Sequence, residues 1–66
     1  MDIVKFEDKF VVGYMAGFAS NDDLREGHSS NGYSLETFTT LEEAKKYLED
    51  YFPNETICIL ERRYFF

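Results

Sequence analysis

A capped amphipathic helix at residues 41–52 is the feature that most constrains the fold. Thr40 and, three residues later, Glu43 form a capping-box pattern with Thr40 as the N-cap residue. Pro53 disfavours the α conformation at Phe52 and therefore ends the helix. Apolar residues recur at helical spacing along one side, and charged residues occupy the other. The apolar positions are Leu41, Ala44, Tyr47, Leu48, Tyr51 and Phe52.

Three segments around this helix have the pattern or composition of strands. From residue 4 to residue 18 the even positions are apolar except for Asp8, which predicts one long strand with a bulge or tight turn at residues 7–9. Residues 33–39 have strand composition, and residues 56–66 open with a continuous apolar run. We expect a single α+β domain over residues 1–66, with a small three-stranded, mainly antiparallel sheet in the order β-loop-β-α-β. The first strand is placed centrally, antiparallel to both others, and one amphipathic helix covers one face.

The length of the chain makes outside support important. A domain of 66 residues buries only about 60% of the surface that its unfolded chain exposes, so its stability should be marginal. Cys58 is the only cysteine and His28 the only histidine, which excludes an internal disulfide and a cluster of Cys and His around zinc. Burial against a partner is the remaining support. Apolar residues on both faces of the first and last strands predict a homodimer.

The net charge of −6 argues against nonspecific binding to nucleic acid or to an anionic membrane, because clustered Lys and Arg drive both. The first residues lack the apolar stretch of a signal peptide, and the uncharged run at residues 10–21 is too short to span a bilayer. We expect a cytoplasmic protein with no membrane partner and no direct contact with nucleic acid.

A polar segment at residues 20–32 contains potential metal ligands. Its spacing does not fit an EF-hand, because Leu24 and Arg25 interrupt the series of oxygen ligands. We expect a solvated loop in which Ser20 and Asp23 cap a single helical turn that stops at Gly27. No metal or cofactor is predicted. The potential ligands in this loop are Asp22, Asp23, Glu26 and His28.

No catalytic constellation stands out. His28 lacks an identified orienting carboxylate, and its neighbours Ser29 and Ser30 are no evidence of a nucleophile. Cys58 lies in an apolar strand without an adjacent base, which predicts a buried, inert thiol. The chain is therefore expected not to be an enzyme.

The residues from 62 to 66 interleave arginine and aromatic side chains, a combination that can stack single-stranded bases. Two arginines in an acidic chain are weak support for that use. The end of an edge strand that packs on a neighbouring element, or a contact with another protein, fits better. These residues are Arg62, Arg63, Tyr64, Phe65 and Phe66.

These observations predict a small noncatalytic protein-binding module, of the kind that phages and mobile elements use to block a host enzyme or defence protein. Its candidate partner-binding residues are Val11, Met15, Asp22, Asp23, Glu26, His28, Arg62, Arg63, Tyr64, Phe65 and Phe66. Two alternatives stay open: a metal-binding or catalytic protein that uses the His28 loop, and an acidic mimic of nucleic acid that occupies a basic groove. The mimic would present a stripe formed by Glu36, Glu42, Glu43, Glu49 and Asp50 together with Asp22, Asp23 and Glu26.

Overall fold

The computed structural model describes residues 1–28 and 34–62, which form an α+β fold with a four-stranded mixed sheet. The strand order is β3-β2-β1-β4, and β1 and β4 are parallel while the other neighbours are antiparallel. The elements are β1 (Asp2–Phe6), β2 (Lys9–Gly13), a 3₁₀ turn (Ala16–Phe18), α1 (Asn21–Glu26), β3 (Glu36–Phe38), α2 (Leu41–Tyr51) and β4 (Cys58–Arg62).

The first predicted strand is a hairpin of two strands. Phe6 pairs with Lys9 across a turn at residues 7–8, and Glu7 has a φ of 56°. Because this turn reverses the chain, the sheet gains a strand and β4 lies parallel to β1. The prediction of α+β class is confirmed, whereas the predicted three strands, with the first antiparallel to both others, are wrong.

The central strands β1 and β2 are covered on both faces, and they contribute to a core on each side because successive residues of a strand point to opposite sides. Val12 and Ile3 pack against Ala44 and Leu48 of α2. Val11 lies on the opposite face, beneath the 3₁₀ turn and α1. Each fully buried side chain of this size contributes about 1.5–3 kcal/mol. The second core consists of Val4, Phe6, Val11, Ala16, Ala19, Leu24 and Leu35.

Helix α1 confirms the predicted helical turn and extends it to six residues. The Ser20 hydroxyl accepts a hydrogen bond from the Asp23 backbone N–H at 3.1 Å, and the Asp23 carboxylate accepts one from the Ser20 N–H at 3.4 Å. Gly27 ends the helix with a φ of 80°, a left-handed conformation that glycine adopts without steric cost. The capped helix delivers Leu24, which is fully buried, to the second core.

Helix α2 begins at the predicted cap and ends one residue before the predicted bound. The Thr40 hydroxyl accepts a hydrogen bond from the Glu43 backbone N–H at 3.2 Å. Ala44 and Leu48 are fully buried, whereas Tyr51 is 70% exposed and does not belong to the buried stripe. Within the described ranges 1–28 and 34–62, no helix is long and apolar enough to cross a membrane.

Candidate interaction surface at the edge of the sheet

Strand β4 lies at an edge of the sheet and exposes a row of apolar residues. Ile57, Ile59 and Leu60 are 37%, 52% and 43% exposed. The main contacts of α2 are with β2 and β3, on the other side of the sheet's midline. We call residues Ile57, Cys58, Ile59 and Leu60 the β4 surface. Its apolar atoms are in water because neither helix extends fully over this strand.

The backbone of β4 offers hydrogen-bonding groups to a further strand. The Cys58 N–H donates to the Met1 carbonyl oxygen at 3.0 Å, so the backbone groups of Cys58 point toward β1. Because these directions alternate along a strand, the N–H and C=O of Ile59 point toward the outer edge. Among the strands that the structure describes, β4 pairs only with β1. An edge of this kind is a template for pairing with another chain.

The apolar side chains of β4 emerge on both faces of the sheet. Ile59 lies beside Ile3 on the face that carries α2, and Leu60 lies beside Val4 on the opposite face. Leu60 also covers Gly17, where its Cδ1 atom would be 2.7 Å from an added β-carbon. The side chain of Leu60 can therefore lie directly against the backbone of Gly17.

Cys58 carries a free thiol that is exposed. The prediction of a buried thiol is therefore wrong. The apolar run around Cys58 indicated a strand covered on both faces, but neither helix extends fully over β4. The thiol consequently belongs to the accessible β4 surface.

Arg62 holds the end of β4 against the 3₁₀ turn. Its guanidinium group donates hydrogen bonds to the carbonyl oxygens of Ala19 and, at 2.5 Å, Gly17. The Gly17 N–H in turn donates to the Asp2 carboxylate at 3.1 Å. These contacts of Arg62 stabilise the position of β4 against the 3₁₀ turn. The other candidates in this segment, Arg63, Tyr64, Phe65 and Phe66, lie outside the described residues.

The two candidates on the first predicted strand have different surroundings. Val11 is fully buried, so the expectation that it lies on an uncovered face is wrong: the 3₁₀ turn and α1 cover it. Met15 is 49% exposed, and its neighbour in the turn, Phe18, is 84% exposed. The apolar even positions of residues 4–18 predicted that Phe18 lies on the apolar face of a strand, and no signal in the sequence indicated its exposure.

The candidate residues around α1 do not converge on one site. The carboxylate of Asp23 is used in the helix cap, and Asp23 is 8% exposed. The Asp22 carboxylate pairs with the Arg25 guanidinium at 3.0 Å. His28 Nε2 lies 3.5 Å from the Glu26 carboxylate, and both side chains are more than half exposed. In the part of the chain that the structure describes, no three His, Cys, Asp or Glu side chains converge to hold a metal ion.

Arg25 is the centre of a second small network. Its guanidinium group pairs with the Glu7 carboxylate at 3.1 Å and lies 5.5 Å from the centroid of the Phe6 ring. The Lys9 ammonium group donates to the Arg25 carbonyl oxygen at 2.6 Å. These contacts fasten the hairpin turn to α1.

The acidic residues form two separated groups. Helix α2 lies on one face of the sheet with the exposed residues Glu42, Glu43, Glu49 and Asp50, among which Lys45 and Lys46 are interspersed. Helix α1, with Asp22 and Glu26, lies on the opposite face. The acidic residues of the predicted stripe that belong to these helices therefore lie on both faces of the sheet.

A cleft beside α2 is lined by eight residues, three of which are aromatic. Its volume is about 150 Å³, and Tyr14, Tyr47 and Phe52 contribute rings to its lining. Tyr14 and Phe52 meet edge to face, with centroids 6.3 Å apart at 84°, and Tyr47 lies 6.1 Å from Phe52 at 55°. Val12 and Glu36 also line the cleft. No sequence motif identified it, because its residues come from distant segments.

The Tyr14 hydroxyl is fixed at the rim of this cleft. It donates a hydrogen bond to the Glu55 carboxylate at 2.5 Å. This bond, with smaller effects of burial and of the charge on Glu55, raises the pKa of Tyr14 above its ordinary value of 10.0. Tyr14 therefore stays protonated to a higher pH than an ordinary tyrosine.

Comparison with known proteins found no matching family model, no matching curated protein and no matching solved structure. No function can therefore be inferred for this chain from similarity to a known protein.

Proposed function

We propose that this protein is a small noncatalytic protein-binding module that acts by occupying a surface of another protein. The supporting observation is the β4 surface, where the outer edge faces no other strand that the structure describes and apolar side chains are exposed on both faces. Contiguous apolar surface of this kind marks interaction sites in small proteins. In a phage or mobile element, such a module would block a host enzyme or defence protein in the cytoplasm.

A second copy of the chain is the proposed partner of the β4 edge. Antiparallel pairing of β4 with its symmetry mate satisfies the outward backbone groups of Ile59 and covers Ile59 and Leu60 in both copies. Such a homodimer also supplies the burial that a domain of this size needs. Met15 and Phe18, on the turn next to Leu60, then remain exposed for the target protein.

The dimer is tested by sedimentation equilibrium at micromolar concentrations. Ile59→Pro removes an N–H that points away from β1, so it should produce a monomer while the β1–β4 hydrogen bonds stay intact. Tyr51→Glu changes an exposed apolar residue on α2 and should leave the dimer unchanged. A monomeric wild-type protein, or a dimer that survives Ile59→Pro, would contradict the proposal.

The target-binding role is tested by affinity capture from a native host lysate. A partner that is retained by the wild type and by Tyr51→Glu, and lost with Phe18→Glu, supports the assignment of the 3₁₀ turn to target binding. Equal retention by all three proteins, or none by the wild type, counts against it.

The acidic-mimic alternative is supported by the exposed carboxylates of α2. The dependence of capture on salt concentration distinguishes the acidic mimic from apolar docking, because attraction between exposed charges is largely screened at high ionic strength. Capture that is lost steeply as salt rises favours the mimic. Capture that persists at high salt favours apolar docking.

A further inference from the structure

The aromatic cleft has the composition of a cation-binding site. Three rings, from Tyr14, Tyr47 and Phe52, line a space of about 150 Å³, and the Phe52 ring stands at 84° to Tyr14 and at 55° to Tyr47. The face of an aromatic ring carries partial negative charge, and a cation within about 6 Å of its centroid is attracted to it. Rings that meet at large angles can surround a rounded cation from several sides.

We propose that this cleft binds an alkylammonium group, in which methyl groups surround a positively charged nitrogen. The methyl groups suit the rings and the apolar side chain of Val12, which is 2% exposed. The positive charge suits Glu36, which lines the same cleft. An unmethylated ammonium is more strongly hydrated and loses more hydration on entering an apolar space.

Charge distinguishes this ligand from a neutral apolar one. The protein has a net charge of −6. The register of the sheet determines on which face the carboxylate of Glu36 lies. Glu36 pairs with Val12 across β2 and β3 and therefore lies on the α2 face. The α-ammonium group of Met1, another lining residue, donates a hydrogen bond to the Thr56 carbonyl oxygen at 3.2 Å and therefore points toward that oxygen.

The rings are held in place before any ligand arrives. The Tyr14 hydroxyl is bonded to Glu55, and the Tyr47 ring packs against Phe38 and Tyr51 with centroids 5.2 Å and 5.0 Å away. A preformed site loses little conformational entropy on binding. This arrangement therefore favours a small ligand that cannot order the site by itself.

Titration calorimetry with choline and its neutral isostere 3,3-dimethylbutan-1-ol tests the proposal on the full chain. The two probes have the same shape and differ in charge, so cation–π attraction should make choline bind about tenfold more tightly. Saturable binding with this preference supports the site. Equal affinity would reveal a merely apolar cleft and overturn the proposal, as would the absence of saturable binding.

Variants separate a specific site from general attraction to an acidic protein. Glu36→Gln should weaken choline binding about two- to fivefold, the range of an exposed ion pair, and leave the isostere unchanged. Glu26→Gln removes an exposed carboxylate on the opposite face and should change neither. Equal weakening of choline binding in Glu36→Gln and Glu26→Gln would overturn the proposal.

Ring variants test the aromatic faces directly. Tyr47→Leu should abolish the preference for choline, whereas Tyr47→Phe should keep it, as should Phe18→Leu, which changes an exposed ring outside the cleft. If Tyr47→Leu fails to fold, the effect of Glu36→Gln on choline binding still tests whether the cleft is the binding site.

Two ligand sources share this chemistry, a free quaternary amine and a trimethylated lysine in a peptide. A trimethyllysine peptide that binds more tightly than choline, and far more tightly than its unmethylated form, identifies the protein-borne source. Equal affinity for choline and for the methylated peptide identifies the free amine.

Discussion

Leu35 fills the space in which a β-carbon on Gly13 would lie, with its Cδ2 atom 2.5 Å from that position. The Ser34 carbonyl oxygen is also close, at 3.2 Å. Gly13 therefore lets the end of β2 approach the buried Leu35 side chain. This contact joins the sheet to the segment that leads into β3.

Gly13→Ala is expected to lower the free energy of unfolding by about 1–3 kcal/mol, the usual cost of overpacking a core. Urea denaturation measures the change. Gly17→Ala is the matched control, because its β-carbon would meet Leu60, a partly exposed side chain that can rotate away. An equal loss of unfolding free energy in Gly13→Ala and Gly17→Ala would contradict the role assigned to the contact between Gly13 and Leu35.

Met15 adopts a left-handed conformation, with φ 59° and ψ 20°. This conformation costs a residue with a β-carbon about 1–2 kcal/mol, and glycine adopts it readily. Met15→Gly should therefore be more stable than Met15→Ala by about 1 kcal/mol, the reverse of the order found in a helix. Thermal unfolding of the two variants checks this order, since both lack the methionine side chain.

Arg62 ties β4 to the 3₁₀ turn, so Arg62→Met should loosen β4. Hydrogen bonds to a charged donor contribute about 1.5–3 kcal/mol each. We expect faster hydrogen exchange at the Leu60 amide, with little change at amides of the β1–β2 hairpin. Arg62→Lys should recover part of the protection. Uniform acceleration across the sheet would show that Arg62 supports the whole fold instead.

Tyr14 should give the protein a distinct response to alkaline pH. Its pKa is raised in the folded state, chiefly by the bond to Glu55. The neutral form is therefore favoured by folding, and this contribution to stability is fully present below about pH 10. It disappears as the pH rises through the folded-state pKa.

Absorbance titration of tyrosinate detects this shift. Glu55→Ala removes both the hydrogen-bond acceptor and the charge and should bring the pKa of Tyr14 closer to its ordinary value, with less loss of stability at alkaline pH. Glu49→Ala is a suitable control, since it changes an exposed carboxylate on α2. An unchanged titration of Tyr14 in Glu55→Ala would rule out the hydrogen bond as the cause.

Helix α2 was predictable because its signals are local. Thr40 and Glu43 mark its start, and Pro53 marks its end, all within one short segment. Ser20, Asp23 and Gly27 identified α1 in the same way. Caps act over three or four residues, so the sequence shows them without knowledge of the remaining fold.

The hairpin of β1 and β2 was missed for a physical reason. Across its turn Val4 pairs with Val11, so the residues that share a face change from even to odd numbers. Both faces of the sheet are covered, and apolar residues consequently occur at both parities in β2. The alternation of residues 4–18 therefore continues through the turn and resembles a single strand.

The interaction surface could be predicted only in part. The aromatic and apolar residues near the last strand drew attention to it, and the predicted sheet also had this strand at an edge, where the structure has β4. The exposure of Cys58 was missed because it depends on how far the helices extend over β4. A run that is apolar at both parities indicates burial on both faces but does not show which elements cover them.

The pairing of β1 with β4 also has a kinetic consequence. Met1 and Thr56 meet although they are 55 positions apart, whereas β1 and β2 are joined by a short turn. Closing the longer loop carries the larger entropic cost, so we expect β4 to dock late in folding. A partner that holds β4 in place would shift the folding equilibrium by mass action. The resistance of the protein to unfolding should then rise with the concentration of whatever occupies that edge.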